Sequence, residues 1–219
     1  MENEKPEKVK YEDNPDRKAT FAPYIPRSVL TVDELMAMAK KFKEAGAEKV
    51  KIGGEMIFVW QEKHLPPGVK KHVGWEQNHF KATEVRPIKI CSAETFCMRF
   101  RQPVLELAEK IDNAFRGTHL PVKLIIGIAG CQRSCSEPGI KDVGIIAHTK
   151  GYELLVGGSA GLKPRIAQSI GLFQTQDNVM KVIEGIIEYV KVKDKKSVRL
   201  GRVIEMNGID DLLNFLKEG

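Results

Sequence analysis

Two short cysteine spacings constrain this chain more than any other feature. Cys91 and Cys97 form a C-x₅-C pair, Cys131 and Cys135 form a C-x₃-C pair, and the sequence has no other cysteine. Four thiols in two clusters point to ligation of a soft metal. Zinc knuckles use C-x₂₋₄-C, which suits the second pair but not the first. The C-x₂-C-x₂-C run of bacterial ferredoxins is absent. Spacing alone makes an iron–sulfur cluster the first reading. A zinc site and two unrelated pairs of core cysteines stand beside it. Disulfides explain the pattern poorly in a cytosolic chain, where thiols stay reduced.

The cytoplasmic expectation comes from the ends and the apolar runs. The chain opens MENEKPEKVKYEDNPDRK, without the apolar stretch of a signal peptide. The longest apolar run, Leu124–Ala129, is strand-sized and far short of the roughly 18–20 residues of a membrane helix. Residues 1–20 read as a charged N-terminal arm. Over all 219 residues, 35 Lys and Arg against 29 Asp and Glu leave a net charge of +6. That excess invites a nucleic-acid reading, yet Trp60, Trp75 and scattered lysines make no recognised binding motif. No nucleic-acid or membrane partner is expected.

Periodicity and turn residues predict mixed elements. Thr31 and Glu34 form a capping box, and Leu35, Met38 and Phe42 recur at helical spacing up to Gly46, giving a helix over 32–45. Lys49–Ile52 and Met56–Trp60 read as strands around Gly53-Gly54. Pro66-Pro67-Gly68 precedes a short helix ending near Val73. Val85–Ile90 is a strand entering Cys91. Phe96, Val104, Leu105, Leu107, Ala108 and Ile111 predict one helix from about Thr95 to Phe115. Lys123–Ala129 is a buried strand running into Gly130-Cys131. Val143–His148 and Tyr152–Val156 make a hairpin around Thr149-Lys150-Gly151. Helices are predicted over Asp177–Val190 and Ile209–Leu216. Strands and helices lack the regular alternation of a doubly wound sheet, so the expected class is α+β.

Cys91-Ser-Ala-Glu-Thr-Phe-Cys97 with Gly130-Cys131-Gln-Arg-Ser-Cys135 resembles the signature of sulfite and nitrite reductases that couple siroheme to a [4Fe–4S] cluster. The likeness extends to Lys141-Asp-Val-Gly-Ile-Ile146, to Tyr152-Glu-Leu-Leu-Val-Gly-Gly158 and to Lys163-Pro164-Arg165, and covers about residues 23–190. In length the chain is similar to the small single-repeat, assimilatory-type sulfite reductases. The resemblance implies a ferredoxin-like half domain over 21–84. It also implies a siroheme and [4Fe–4S] domain with C-terminal helices over 85–219.

The resemblance also implies roles. Cys91, Cys97, Cys131 and Cys135 would ligate the cluster, and Cys135 would bridge to the siroheme iron. Lys123, Arg86 and Lys89 would act in catalysis, stabilising negative charge on the substrate. Arg86, Arg99, Arg133, Gly157, Gly158, Ser159, Lys163 and Arg165 would bind siroheme, whose eight carboxylates need cations and N–H donors. Two positions depart from the family pattern. Its K-x-K strand reads Lys123-Leu124-Ile125 here, and Met56 replaces a Gln of the T-x-x-Q segment. A pocket with fewer cations is expected to hold a dianion less well.

The expected function is therefore six-electron reduction of sulfite to sulfide, or of nitrite to ammonia. No flavin or nicotinamide motif is visible, so electrons would come from an acidic ferredoxin-like donor. Lys191–Lys196 is a solvated turn or a docking patch for that donor. The alternative is a repurposed tetrapyrrole and iron–sulfur protein for electron transfer, sensing or cofactor handling. A zinc-stabilised binding module is the third reading. The five histidines show no ligand spacing with the cysteines and read as ordinary residues.

Overall fold

A computed structural model of the protein describes residues 18–54, 56–78, 82–194 and 197–218. The expected charged arm therefore lies, up to residue 17, outside the described residues. The described chain divides into two compact units. One comprises residues up to Ile25 together with Leu30–Asn78, and the other Pro26–Val29 together with the chain from 82 onward.

The first unit is a small antiparallel sheet with a helix on it. Its strands are β1 (Thr20–Phe21), β2 (Lys49–Lys51) and β3 (Ile57–Val59), in the order β1-β3-β2. Helix α1 (Val32–Glu44) starts at the expected capping box: Glu34 N–H donates to Thr31 Oγ1 at 3.1 Å, and Thr31 N–H donates to Glu34 Oε2 at 2.7 Å. Met38 and Phe42 are buried, whereas Leu35 is exposed and leaves the predicted stripe. Phe42 stacks on Phe58 with centroids 3.8 Å apart. Trp60 is buried, and its indole N–H donates to the Ala45 carbonyl at 2.9 Å, closing the C-terminal end of α1. That tryptophan belongs to the core of this unit. A short helix, α2 (Val69–Val73), completes the unit.

The second unit is built on five strands: β4 (Lys89–Ile90), β5 (Ile126–Ala129), β6 (Val143–His148), β7 (Gly151–Val156) and β8 (Gln168–Phe173). They lie in sequence order, parallel from β4 to β6 and antiparallel from β6 to β8. The hairpin turns at Thr149-Lys150, with His148 opposite Gly151, as the sequence predicts. Helices are α3 (Ala93–Phe96), α4 (Leu105–Phe115), α5 (Gln176–Lys193), α6 (Leu200–Asn207) and α7 (Ile209–Glu218). Ile126, Ile128, Val143, Ile145, Leu154 and Val156 meet Leu107, Ile111, Val179, Ile183 and Ile186 in one core. All four residues of β5 are buried, which explains its unbroken apolar run. Mixed helices and sheets bear out the α+β expectation.

The single helix predicted from Thr95 to Phe115 is corrected to two. Cys97 takes an extended conformation and ends α3, and Pro103 lies just before α4. The Glu94 carboxylate accepts from Val104 N–H at 2.9 Å and Leu105 N–H at 3.1 Å, satisfying the exposed donors of α4. The C-x₅-C loop thus caps the helix that follows it. Strand β8 and helix α6 have no counterpart in the sequence expectations.

Candidate iron–sulfur and anion site

The sheet register brings the cysteine pairs together. Strands β4 and β5 are parallel neighbours, with Ile90 opposite Ile128. β4 runs directly into Cys91 and β5 into Gly130-Cys131, so both loops leave the same end of the sheet. Cys91 N–H continues the ladder to the Ile128 carbonyl at 3.2 Å. In the second loop, Ser136 Oγ donates back to the Ile128 carbonyl at 2.6 Å. Ala93, Ser134 and Glu137 adopt left-handed backbone conformations in these loops, uncommon for residues other than glycine.

All four cysteines are free thiols and line one pocket, together with Ala93, Phe100, Ala129 and Gly130. Gly130 and Ala93 donate backbone N–H groups to Cys91 Sγ at 3.2 and 3.4 Å, and Arg99 donates to Cys97 Sγ at 3.4 Å. Such bonds fix the position of the two sulfurs. A single zinc ion would need its sulfurs about 2.3 Å from one centre. Among the described residues, no three His, Cys, Asp or Glu side chains are grouped to hold a single ion. Four soft donors spaced around a shared pocket fit a polynuclear cluster better.

A second pocket, of about 360 Å³, shares Cys135. Its lining carries Lys89, Lys123, Lys141 and Arg199 against the one acid Glu137, with Ile125 and Ser136. Lys123 and Ile125 face the same space because they stand two apart on an extended segment. Lys141 pairs with Glu137 at 3.2 Å. Burial holds the Lys89 ammonium below its ordinary range. Lys123 is also depressed, first by burial and then by the neighbouring Arg86 and Arg199 charges. Arg86, depressed chiefly by burial, also feels Glu84 and Arg199. Of the three expected catalytic cations, Lys89 and Lys123 line this pocket, whereas Arg86 does not line it and acts on Lys123 through its charge.

The expected cofactor-binding residues distribute differently. Arg99 and Arg133 line a further pocket of about 440 Å³ with Met98, Arg101, Cys131 and Gln132. Gly157 N–H donates to the Asp142 carbonyl at 2.8 Å. Gly158 lies against the loop after Cys135, where a Cβ would come 2.6 Å from the Lys141 carbonyl oxygen. Buried Ser159 exchanges two backbone bonds with Arg165, at 3.0 and 2.9 Å, and Lys163 is exposed on the turn between them. Arg165 makes a two-pronged ion pair with Glu205.

Sequence reasoning missed the partners that come from distant segments. Asp142 is fully buried and clasped by Arg199 from 57 residues away. Gln132, inside the C-x₃-C loop, bonds His148 Nδ1 at 3.1 Å, and His148 Nε2 meets Glu153 at 2.9 Å. No local signal marks either set. Among the described residues, no helix is long and apolar enough to cross a membrane.

Together, fold and site define an iron–sulfur protein with a cationic pocket beside its cluster thiols. The profile of the nitrite and sulphite reductase 4Fe-4S domain matches residues 81–219, and the chain belongs to that family. Siroheme and a [4Fe–4S] cluster are the cofactors of this family, and the four-cysteine pocket fits the cluster. The chain is 30% identical over 178 residues to the large subunit of the NADH nitrite reductase of Escherichia coli, covering 79% of this chain but 21% of that one. It is 26% identical over 197 residues to an assimilatory-type sulfite reductase of Nitratidesulfovibrio vulgaris, covering 88% of this chain and 90% of that one. It spans about a fifth of the length of the NAD(P)H nitrite reductases it matches. Dissimilatory sulfite reductase I shares the fold at a TM-score of 0.79 and 14% identity, over 90% of this chain and 68% of that one. The NirA protein of Mycobacterium tuberculosis follows at 0.70 and 16%, over 89% of this chain and 39% of that one.

Proposed function

We propose that this chain is a siroheme–[4Fe–4S] reductase that carries out the six-electron reduction of sulfite or nitrite. The observation that carries the reading is Cys135, which belongs to both the four-thiol pocket and the cationic pocket. One residue thus sits where electrons would leave the cluster and where an anion would be held.

The four cysteines would hold the cluster, and Cys135 would connect it to the siroheme. Siroheme, when bound, would supply the redox chemistry for reducing the anion. The chain's own groups manage charge and protons. Lys123, Lys89 and Arg86 offset the anion's charge. Depressed ammonium groups at Lys89 and Lys123 also give up protons more readily to a departing oxygen. Arg99 and Arg133, with Gly157, Gly158, Ser159, Lys163 and Arg165, are assigned to the tetrapyrrole's periphery. The donor is assigned as an acidic, ferredoxin-like protein, and the setting as cytoplasmic. Ile125 and Met56 are the features that favour a non-catalytic relative. Lys141 and Arg199 in the same pocket as Ile125 weigh against that alternative.

An absorption spectrum of anaerobically purified, reconstituted protein tests cofactor binding. Siroheme gives a Soret band and a far-red band, a cluster alone gives a broad shoulder, and a colourless protein rules the reading out. Reduced viologen with sulfite or nitrite then tests turnover. Dye oxidation no faster than in a Cys135→Ser control sinks the reductase assignment.

A further inference from the structure

We propose that Arg199 is an anion-binding residue of the pocket beside Cys135, contributed by the segment between α5 and α6. The inference rests on the reading of that pocket as the reductase's anion site. Arg199 donates from Nε to Asp142 Oδ1 at 2.7 Å and from Nη2 to Asp142 Oδ2 at 2.6 Å. A guanidinium is a planar fork of five N–H donors, and this side-on pairing occupies its Nε edge. The Nη1–Nη2 edge lies beyond the pair, and Arg199 is a lining residue of the pocket that Lys89 and Lys123 also line.

The placement is rigid. Leu200 is fully buried, and a Cβ on Gly201 would come 2.1 Å from the Gly157 carbonyl oxygen, so the backbone after Arg199 is packed directly on the Gly157 turn. Asp142 is itself fixed, because the Ile125 N–H also donates to its Oδ2, at 2.8 Å. The guanidinium is thereby held at the segment that carries Lys123 and Ile125. Gathering Arg199, Lys123 and Lys89 around one space is unfavourable until an anion enters it. Asp142 answers Arg199, Glu137 answers Lys141 and Asp112 acts on Lys89, while the lining itself carries Lys89, Lys123, Lys141 and Arg199 against Glu137.

The ligand chemistry is an oxyanion. Its source is either the small substrate anion or a carboxylate of the tetrapyrrole. The test uses the full, reconstituted chain with Arg199→Lys and Arg199→Gln. Three quantities are read: siroheme per cluster by absorbance and iron content, sulfite affinity from the Soret shift, and KM and kcat for sulfite with reduced viologen. Lysine keeps the charge and one bond to Asp142 but loses the second edge of the fork. In Arg199→Lys, a fall in sulfite affinity and a rise in KM of about tenfold, with wild-type siroheme content, supports the proposal and makes the ligand substrate. A fall in siroheme content with an unchanged cluster spectrum supports it and makes the ligand a cofactor carboxylate. Wild-type siroheme content, affinity and KM in Arg199→Lys overturn it, whether or not Arg199→Gln folds. A wild-type chain that takes up no siroheme overturns the underlying functional reading instead.

Discussion

The backbone N–H of Gly130 points at the Sγ of Cys91 across 3.2 Å, so the residue before the C-x₃-C loop is bonded to the first cysteine of the C-x₅-C loop. The two loops are therefore one unit, although 39 residues separate the bonded pair. A Cβ at position 130 would stand 3.3 Å from Phe100 Cβ and 3.9 Å from Cys91 Sγ. Gly130→Val should cost about 1–3 kcal/mol by overpacking. It should also lower iron and labile sulfide per chain. Wild-type iron content and unfolding midpoint would show that the contact is incidental.

Two glycines near the second loop make a paired comparison. A Cβ on Gly158 would lie 2.6 Å from the Lys141 carbonyl and 2.8 Å from that of Gly139, whereas Gly161 has nothing within 4 Å. Gly158→Ala should destabilise by about 1–3 kcal/mol in urea unfolding. Gly161→Ala should stay within about 0.5 kcal/mol of wild type. Equal effects would show that close packing does not govern this turn.

Asp142→Asn tests the buried pair with Arg199. The amide can still accept the Ile125 N–H, but the guanidinium loses its counter-charge. Burial outweighs Arg199 and raises the Asp142 pKa, so the amide also relieves desolvation, and the loss should be about 1–3 kcal/mol, read as a lower denaturation midpoint. A loss well under about 1 kcal/mol would mean that solvent screens the pair.

Tyr189 gives a pH prediction with a definite sign. Burial, together with donation of its hydroxyl to Asp211 at 2.9 Å, pushes its pKa up to about 12. The folded state therefore keeps this proton after an unfolded tyrosine, with a pKa of about 10, has lost it. Stability from this group is fully present below about pH 10 and is lost as pH rises toward 12. Ultraviolet titration should show one late phenolate, absent in Tyr189→Phe. Complete titration near pH 10 with the fold intact would contradict the assignment.

Lys123 links charge to turnover. Lys123→Gln should lower kcat/KM with reduced viologen by about 10²–10⁴-fold, the usual range for a positioned proton donor. Arg199 helps hold the Lys123 ammonium below its ordinary range. Arg199→Gln should therefore shift the alkaline limb of the pH–rate profile upward. A limb that stays in place would uncouple the two groups.

What was legible in the sequence is local. The cysteine spacings pointed to a cluster because each pair lies within a single loop. Thr31 and Glu34 marked a helix start, and Thr149-Lys150 marked a hairpin, because both signals depend on residues a few positions apart. The unbroken helix predicted up to Phe115 failed because periodicity does not register an extended Cys97 or a cap supplied by Glu94. Strand β8 was missed because it is a largely exposed strand with Gly171 in the middle, lacking a clear alternation. Helix α6 was missed because it begins without a side-chain cap and contains Gly201.

By itself, then, the sequence determined the ligand chemistry and most of the elements, since both are written in residue type and short-range period. Only the tertiary structure decided what surrounds the site. The parallel register of β4 and β5 puts two cysteine loops at one end of the sheet. A Gly157–Gly201 contact between distant segments seats Arg199 on Asp142 beside Ile125, where the sequence alone showed a missing lysine. Such neighbours come from sheet register and close packing, which no spacing along the chain encodes.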